Sequence, residues 1–269
     1  MMLVGGVPEI TDIRDGRMRC QGSFDHSILA GCFWACLIPV YLVRGWTGLG
    51  WRLAAFGIVA AVGLVGLSAS STPVMALIFC MLGASLFLMR GLVRWLRWLA
   101  LLLAMAAQTV MDMPIWHLVA RIDVVGGSTG FHRFNLMDQF AKRVPEWGML
   151  GTPGTGHWGY GLHDVTNQYV AEGIGGGITR LGLFITAIVL CFVGVSRSMR
   201  LRPGGQNYKL VTWALGTVMF VHCMNFIGIS YFGQIVAVWY MSLAAVSSLT
   251  LVPGAPIEQQ LAENADWQR

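Results

Sequence analysis

Seven long apolar segments constrain the fold of this chain more than any other feature of its sequence. A transmembrane helix needs about 20 predominantly apolar residues. With 55% of its 269 residues hydrophobic and only 12% charged, the chain carries more apolar surface than one soluble core could bury. We therefore predict an all-α fold, a polytopic membrane helical bundle forming a single membrane domain over residues 1–269. The predicted spans are Ile28–Val43, Leu53–Leu67, Val74–Met89, Trp98–Met113, Ile178–Val195, Leu210–Phe226 and Phe232–Val252.

Basic residues in the short connections predict the orientation of the bundle, because they collect on the cytoplasmic side. The clusters are Arg44 with Arg52, Arg90 with Arg94 and Arg97, and Arg197, Arg200, Arg202 with Lys209. Even numbers of spans separate these clusters, so all three can face the cytoplasm together. The predicted organisation is four helices in 27–113, an extracytoplasmic catalytic loop in 114–168, three helices in 169–252 and a cytoplasmic tail in 253–269. An outer N-terminus with three arginines leads us to expect that the chain is the C-terminal portion of a longer protein.

The remaining composition excludes several classes of function. Five of the six cysteines fall inside apolar spans, which predicts buried thiols that behave as small hydrophobic residues. No basic stripe is interleaved with aromatic residues, so we predict no nucleic-acid partner. A metal site could draw on His132, His157, His163 and Asp164, but their spacing matches no zinc-binding pattern, and we predict neither a metal nor a cofactor.

The predicted outer loop is too long and too rich in aromatic and basic residues to be a simple connector. Its segment "HRFNLMDQFAKRV" has apolar residues at close to helical spacing, which predicts an amphipathic helix on the outer membrane surface with Arg133 at its beginning. The stretch "GYGLHDVTNQYVAEGIGGG" follows and gathers five polar side chains directly before an apolar span: His163, Asp164, Asn167, Tyr169 and Glu172.

These segments resemble the signature region of the O-antigen ligase and O-antigen polymerase family. The similar stretches are "STGFHRFNLMDQFAKRVPEWGMLGTPGTG" and "HDVTNQYVAEGIGGGITRLGLFI", preceded by "RMRCQGSFDHSILAGCFWACLIPV" and "LSASSTPVMALI". Together they run in the family's order over roughly residues 17 to 195. Two positions depart from the family pattern. Asp164 follows His163 where Asn is common, and Ser70, Ser71 and Thr72 stand where Arg is usual.

The resemblance implies a metal-independent glycosyltransferase of the bacterial inner membrane. Such enzymes move a glycan from undecaprenyl diphosphate to an acceptor hydroxyl on a glycan or lipid at the outer face, in lipopolysaccharide or exopolysaccharide synthesis. An arginine fork suits the diphosphate leaving group, and the predicted outer side carries Arg133, Arg121 and Arg19.

We predict that His163 is the general base that accepts the proton of the acceptor hydroxyl, because a histidine pKa lies near neutrality. Asp164 is predicted to orient His163, Asn167 and Tyr169 to hold sugar hydroxyls, and Glu172 to order the helix start or pair with Arg180.

Other interpretations stay open at this point. His163 can be an interfacial histidine bonded to loop backbone, and Arg133 can be a surface anchor that reaches lipid head groups. His222 and Asn225, inside a later span, can either bridge helices or serve a function. The competing functions are a transporter or flippase for a lipid-linked or amphiphilic substrate, and a membrane fragment that is inactive by itself.

Overall fold

Helices form nearly all the regular structure of the computed structural model, which describes residues 13–14, 16–111, 130–201 and 205–251. A short antiparallel hairpin, β1 (Ile13–Arg14) and β2 (Arg17–Met18), precedes the helices. The helices in the described residues are α1 (Ser27–Trp46), α2 (Trp51–Leu67), α3 (Ser71–Ser85), α4 (Val93–Val110), α5 (Gly130–Lys142), α6 (Val144–Trp147), α7 (Gln168–Leu201), α8 (Gln206–Gly228) and α9 (Gln234–Leu251). A single 3₁₀ turn covers Gly156–Trp158.

A helix overlaps each of the seven predicted apolar segments, and three of these helices are long and apolar enough to cross a membrane: α1, α7 and α8. The helices α2, α3, α4 and α9 are apolar but shorter in their apolar stretch. Several boundaries differ from the sequence prediction, among them those of α3 and α7. Helix α3 ends at Ser85 and not at Met89. Helix α7 begins at Gln168, ten residues before Ile178. Its first residues are polar, so hydropathy does not detect them, and the Asn167 side chain caps the helix there.

Small residues allow α3 to lie against its neighbours at close range. A Cβ atom added at Gly31 of α1 would lie 2.7 Å from Pro73, and one added at Gly83 would lie 2.7 Å from Thr217 of α8. At Gly228 the added atom would lie 2.9 Å from Thr72. Glycine at such crossings is the usual means by which membrane helices approach backbone to backbone. These positions bring the first turn of α3 against the last turn of α8.

The helices differ sharply in burial. Helix α8 lies at the centre, where its side chains pack against α1, α3, α7 and α9. In contrast, α4 exposes most of its large apolar side chains, including Trp95, Trp98 and Met105. Lipid would solvate such surface in a membrane.

Residues 130–168, called here the loop unit, have an apolar core of their own. Leu136 of α5, Trp147 of α6, and Trp158 and Leu162 of the following turns are buried together against Val170 at the start of α7. The Trp147 ring stacks on Phe140 at 3.9 Å between centroids, and its Nε1 donates a hydrogen bond of 2.8 Å to the Phe140 carbonyl. The amphipathic helix predicted from "HRFNLMDQFAKRV" is present as α5, and its apolar face covers this core.

Helix α7 bends at Gly176 and Gly177, where the backbone leaves the helical conformation. The loop unit satisfies the backbone groups released by the bend: Thr152 N–H donates to the Ile174 carbonyl at 2.9 Å, and Ile178 N–H donates to the Gly148 carbonyl at 2.8 Å. Gly177 has a φ of +68°, and a Cβ atom there would strike the Met149 carbonyl. Glycine at position 177 therefore permits close contact with the backbone of the loop unit, and glycine at positions 175 and 176 leaves room for the Arg180 side chain.

An ion pair spans the bend. Arg180 Nε lies 2.6 Å from Glu172 Oε2, which is the pairing expected from the sequence. Glu172 is 9% exposed, and Gln168 Nε2 donates to its other oxygen at 2.6 Å. The two halves of α7 are thus joined by side chains where their backbone bonds are interrupted.

Candidate functional site

Most of the predicted site residues that the structure describes lie at one end of the bundle. The start of α1, the connection from α2 to α3, the start of α7 and the connection from α8 to α9 meet there, and the loop unit rests beside them. Three contacts define this end: Arg19 with Ser68, Arg133 with Thr72, and Ser230 with Val165. Arg121 falls outside the described residues, so its predicted role remains a prediction.

Arg19 anchors the connection between α2 and α3. Its side chain is buried, with 6% exposed, and its Nε donates a 2.9 Å hydrogen bond to the Ser68 carbonyl. Beside it, Cys20 N–H donates to the Leu67 carbonyl at 3.0 Å. A guanidinium group is therefore held where α2 ends and α3 is about to begin.

Arg133, in the first turn of α5, reaches the first turn of α3. Its Nη2 donates a 2.9 Å hydrogen bond to Thr72 Oγ1. The two arginines thus reach the same five-residue stretch, 68–72, from different parts of the chain. That stretch contains Ser70, Ser71 and Thr72.

A cavity of about 120 Å³ opens beside Arg133 between α3 and α8. Its walls are mostly apolar, with Met75 and Phe79 from α3 and Met224 and Ile227 from α8. Arg133, Thr72 and Asn225 also lie on its lining. The N-terminal end of α3, which carries a partial positive charge, faces the same region. Cation and helix end together favour an anionic group at the mouth of an apolar slot.

His163 and Asp164 lie on an exposed turn of the loop unit. The turn is held by backbone contacts: His132 Nε2 lies 3.1 Å from the Asp164 carbonyl, and Thr155 Oγ1 donates to the Leu162 carbonyl. Since His132 precedes Arg133 in α5, the turn sits beside the helix that carries the arginine. Within the described residues, neither the His163 ring nor the Asp164 carboxylate has a hydrogen-bond partner, so the predicted orientation of His163 by Asp164 stays a prediction.

Asn167 and Tyr169 hold structural bonds. Asn167 is 2% exposed, and its Oδ1 accepts from Val170 N–H at 3.1 Å as the N-cap of α7 while its Nδ2 donates to the Ile227 carbonyl at 3.2 Å. The Tyr169 hydroxyl donates to the Cys223 carbonyl at 3.1 Å. Both residues tie α7 to α8, and their predicted contacts with sugar hydroxyls remain untested.

A polar cluster that the sequence indicated only in part lies inside the bundle. His222, fully buried, has Tyr231 Oη at 2.8 Å from Nδ1 and Ser242 Oγ at 3.2 Å from Nε2. Asn225 Nδ2 donates to Tyr231 Oη at 3.2 Å. The sequence indicated His222 and Asn225 as polar residues in an apolar span. It did not indicate that Tyr231 and Ser242 contact them, because those contacts depend on how the chain turns from α8 into α9.

Glu146 organises the exposed side of the loop unit and was also missed. Its Oε1 accepts from Trp158 Nε1 at 3.0 Å and from Thr152 Oγ1 at 3.1 Å, and lies 2.7 Å from His157 Nε2. The hydrogen bond from Trp158, followed by those from His157 and Thr152, lowers the pKa of the Glu146 carboxyl below its ordinary value. Because these partners come from irregular turns, no periodic pattern in the sequence signals them.

The histidines considered for a metal do not meet. Across residues 13–14, 16–111, 130–201 and 205–251, no three His, Cys, Asp or Glu side chains lie close enough together to hold a metal ion. His157 contacts Glu146, whereas His132 contacts the turn at Asp164.

Comparison with protein-family models finds no match to this chain, and a search of curated proteins finds none either.

Proposed function

We propose that this protein is a membrane glycosyltransferase of the O-antigen ligase or polymerase kind. It transfers a glycan from undecaprenyl diphosphate to an acceptor hydroxyl at the outer face of the bacterial inner membrane. The observation that carries the proposal is the guanidinium group of Arg133 at the mouth of an apolar cavity between two bundle helices. An anionic head group next to an apolar chain is the ligand chemistry that this arrangement fits.

The arginines supply the charge stabilisation that the reaction needs. As the glycosidic bond breaks, its electron pair goes to a phosphate oxygen, and negative charge grows on the leaving diphosphate. Arg133 donates to those oxygens from the cavity mouth, and the N-terminal end of α3 adds its partial positive charge. Arg19 keeps the connection that begins α3 in place through Ser68.

His163 accepts the proton of the acceptor. The hydroxyl oxygen attacks the anomeric carbon, the bond from that carbon to the diphosphate oxygen breaks, and the hydroxyl proton moves to a ring nitrogen of His163. Its exposed turn beside α5 leaves the ring open to an acceptor arriving from the aqueous side.

The test is a transfer assay with the purified protein in lipid nanodiscs. A radiolabelled glycan on undecaprenyl diphosphate is the donor, and lipid A core and free glycan ends are offered as separate acceptors. We expect label on an acceptor and release of the lipid diphosphate. A matched vesicle assay follows movement of a fluorescent lipid-linked sugar across the bilayer. Movement without transfer would support the transporter alternative and overturn the enzyme proposal.

A further inference from the structure

Asn225 occupies a position between the buried polar cluster and the cavity. The side chain is 1% exposed and lines the cavity that Arg133 also lines. Its amide has two ends with different hydrogen-bonding chemistry, so the ligand that the cavity can accept depends on which end faces it. The hydrogen bonds of the cluster decide this question.

The direction of the hydrogen bonds follows from Ser242. Its Oγ donates to the Val238 carbonyl at 2.8 Å, and that carbonyl can only accept. The single hydroxyl proton is thereby used, so His222 Nε2, at 3.2 Å, must donate to Ser242 Oγ. His222 Nδ1 is then the acceptor nitrogen of a neutral ring.

The same reasoning continues through Tyr231. The Tyr231 hydroxyl donates to His222 Nδ1 at 2.8 Å, which leaves its oxygen to accept from Asn225 Nδ2 at 3.2 Å. Asn225 Nδ2 also contacts Cys36 Sγ at 3.7 Å. The amide nitrogen of Asn225 is therefore fixed toward the cluster.

The amide oxygen of Asn225 consequently lies on the other side. Within the described residues, Oδ1 has no hydrogen-bond partner, although buried polar side-chain atoms are nearly always paired. The cavity is also larger than one water needs, since about 10–15 Å³ of such space holds a water molecule and this cavity has about 120 Å³. An acceptor left open beside a cation marks a site for a ligand with both an anionic group and a donor group.

We propose that Asn225 is a specificity-determining residue that accepts a hydrogen bond from an O–H or N–H group of the sugar attached to the phosphate at Arg133. This inference rests on the proposed function and names the substrate class of the same site, a lipid-linked sugar phosphate. Arg133 and Thr72 bind the phosphate, and Asn225 distinguishes a ligand that carries its sugar from one that has lost it. The site thereby distinguishes the donor, which carries a sugar, from the lipid phosphate that remains after transfer.

The experiment measures binding of four probes to the purified full chain in nanodiscs by calorimetry. They are inorganic phosphate, decyl phosphate, decyl glucosyl phosphate, and the same glucosyl ester with every sugar hydroxyl methylated. The wild-type protein should bind decyl glucosyl phosphate about 3- to 10-fold more tightly than decyl phosphate, the range of one net hydrogen bond. The methylated probe should lose this advantage. Binding of inorganic phosphate as tight as that of decyl phosphate would assign the site to free phosphate and overturn the lipid-linked substrate class.

Variants test the role of Asn225 separately from the proposed function. Asn225→Leu should bind both decyl probes equally, whereas Met224→Leu, which changes another residue of the cavity lining and no hydrogen bond of Asn225, should keep the preference. An unchanged preference in Asn225→Leu, or its loss in both variants, would overturn the role of Asn225. If Asn225→Leu does not fold, equal binding of the methylated and free glucosyl probes by wild type overturns it instead. Arg133→Ala should weaken all phosphate probes; unchanged affinity there would count against the proposed function, whatever the result at Asn225.

Discussion

Two histidines at the same end of the molecule have opposite surroundings. His222 in α8 is fully buried, and Tyr231 and Ser242 lie at hydrogen-bond distance from its two ring nitrogens. His163 in the loop unit is exposed and has no hydrogen-bond partner among the described residues. The first is fixed by the bundle, and the second is free to meet a molecule from solution. Each region should therefore respond differently to substitution: the bundle through stability, and the loop unit through activity.

The largest effect should come from His163. General-base catalysis contributes about 10²- to 10⁴-fold to a rate, so His163→Ala and His163→Gln should each lose that much transfer in the nanodisc assay. Because the side chain is exposed, the thermal unfolding midpoint should stay within about 1 °C of wild type. Near-normal turnover by His163→Ala would show that His163 is not the general base.

Arg133 should show the next largest effect on transfer. A lysine keeps the charge but lacks the planar fork that meets phosphate oxygens in two bonds. Arg133→Lys should therefore lose about 1.5–3 kcal/mol of transition-state stabilisation, which is roughly 10- to 100-fold in kcat/KM.

The matched control for Arg133 is Thr72→Val, which removes the hydroxyl that Arg133 contacts and leaves the guanidinium in the site. Its loss of transfer should be smaller than that of Arg133→Lys. Normal transfer by both Arg133→Lys and Arg133→Ala would reduce Arg133 to a surface anchor.

The contrast also explains which parts of the fold the sequence could predict. Apolar runs predict the bundle helices because a membrane helix satisfies its own backbone, so hydropathy and length suffice. The amphipathic spacing of 132–144 likewise predicted α5. Hydropathy does not predict the start of α7, because this helix begins in a polar segment after Asn167, whose side chain caps it.

The geometry of the site was less accessible from sequence. Arg133 meets Thr72 across 61 residues, and the contact depends on how α3 and α8 cross at Gly228. Side chains from irregular turns surround Glu146, and their positions follow from tertiary packing alone. The sequence does indicate that His222 and Asn225 have hydrogen-bond partners or a function, because polar side chains inside an apolar span are energetically unfavourable otherwise.

His222 should test the other half of the comparison. His222→Leu leaves the Tyr231 hydroxyl without its acceptor and should destabilise the protein by about 1–3 kcal/mol. Unfolding can be followed with a thiol-reactive dye, since Cys32 and Cys80 are fully buried in the folded protein.

The control for His222→Leu is the pair His222→Leu with Tyr231→Phe. It removes both the Tyr231 hydroxyl and its acceptor, so it should recover part of the loss, although Asn225 Nδ2 then keeps only its contact with Cys36 Sγ. Transfer per folded molecule should change far less in His222→Leu than in His163→Ala. A larger catalytic loss at His222 than at His163 would reverse the assignment of roles.

The smallest effect should be a pH dependence confined to the loop unit. The pKa of Glu146 is lowered in the folded protein by its hydrogen bonds from Trp158, His157 and Thr152. A lowered folded pKa contributes stability that is complete above the unfolded pKa and disappears as the pH falls through the folded pKa.

At about pH 5.5, pepsin should therefore cleave the loop unit of Glu146→Gln faster than that of wild type, and the difference should shrink as the pH falls below the ordinary carboxyl range. Asp138→Asn is the matched control, because Asp138 forms an ion pair with the exposed Lys142 one helical turn away and such pairs contribute little. If Asp138→Asn and Glu146→Gln gave the same cleavage profile, the Glu146 contacts would have no special part in holding the turn that carries His163. If only Glu146→Gln changed it, the exposed His163 would depend on this carboxylate for its position, and the loop unit would have a fixed framework of its own beneath that side chain.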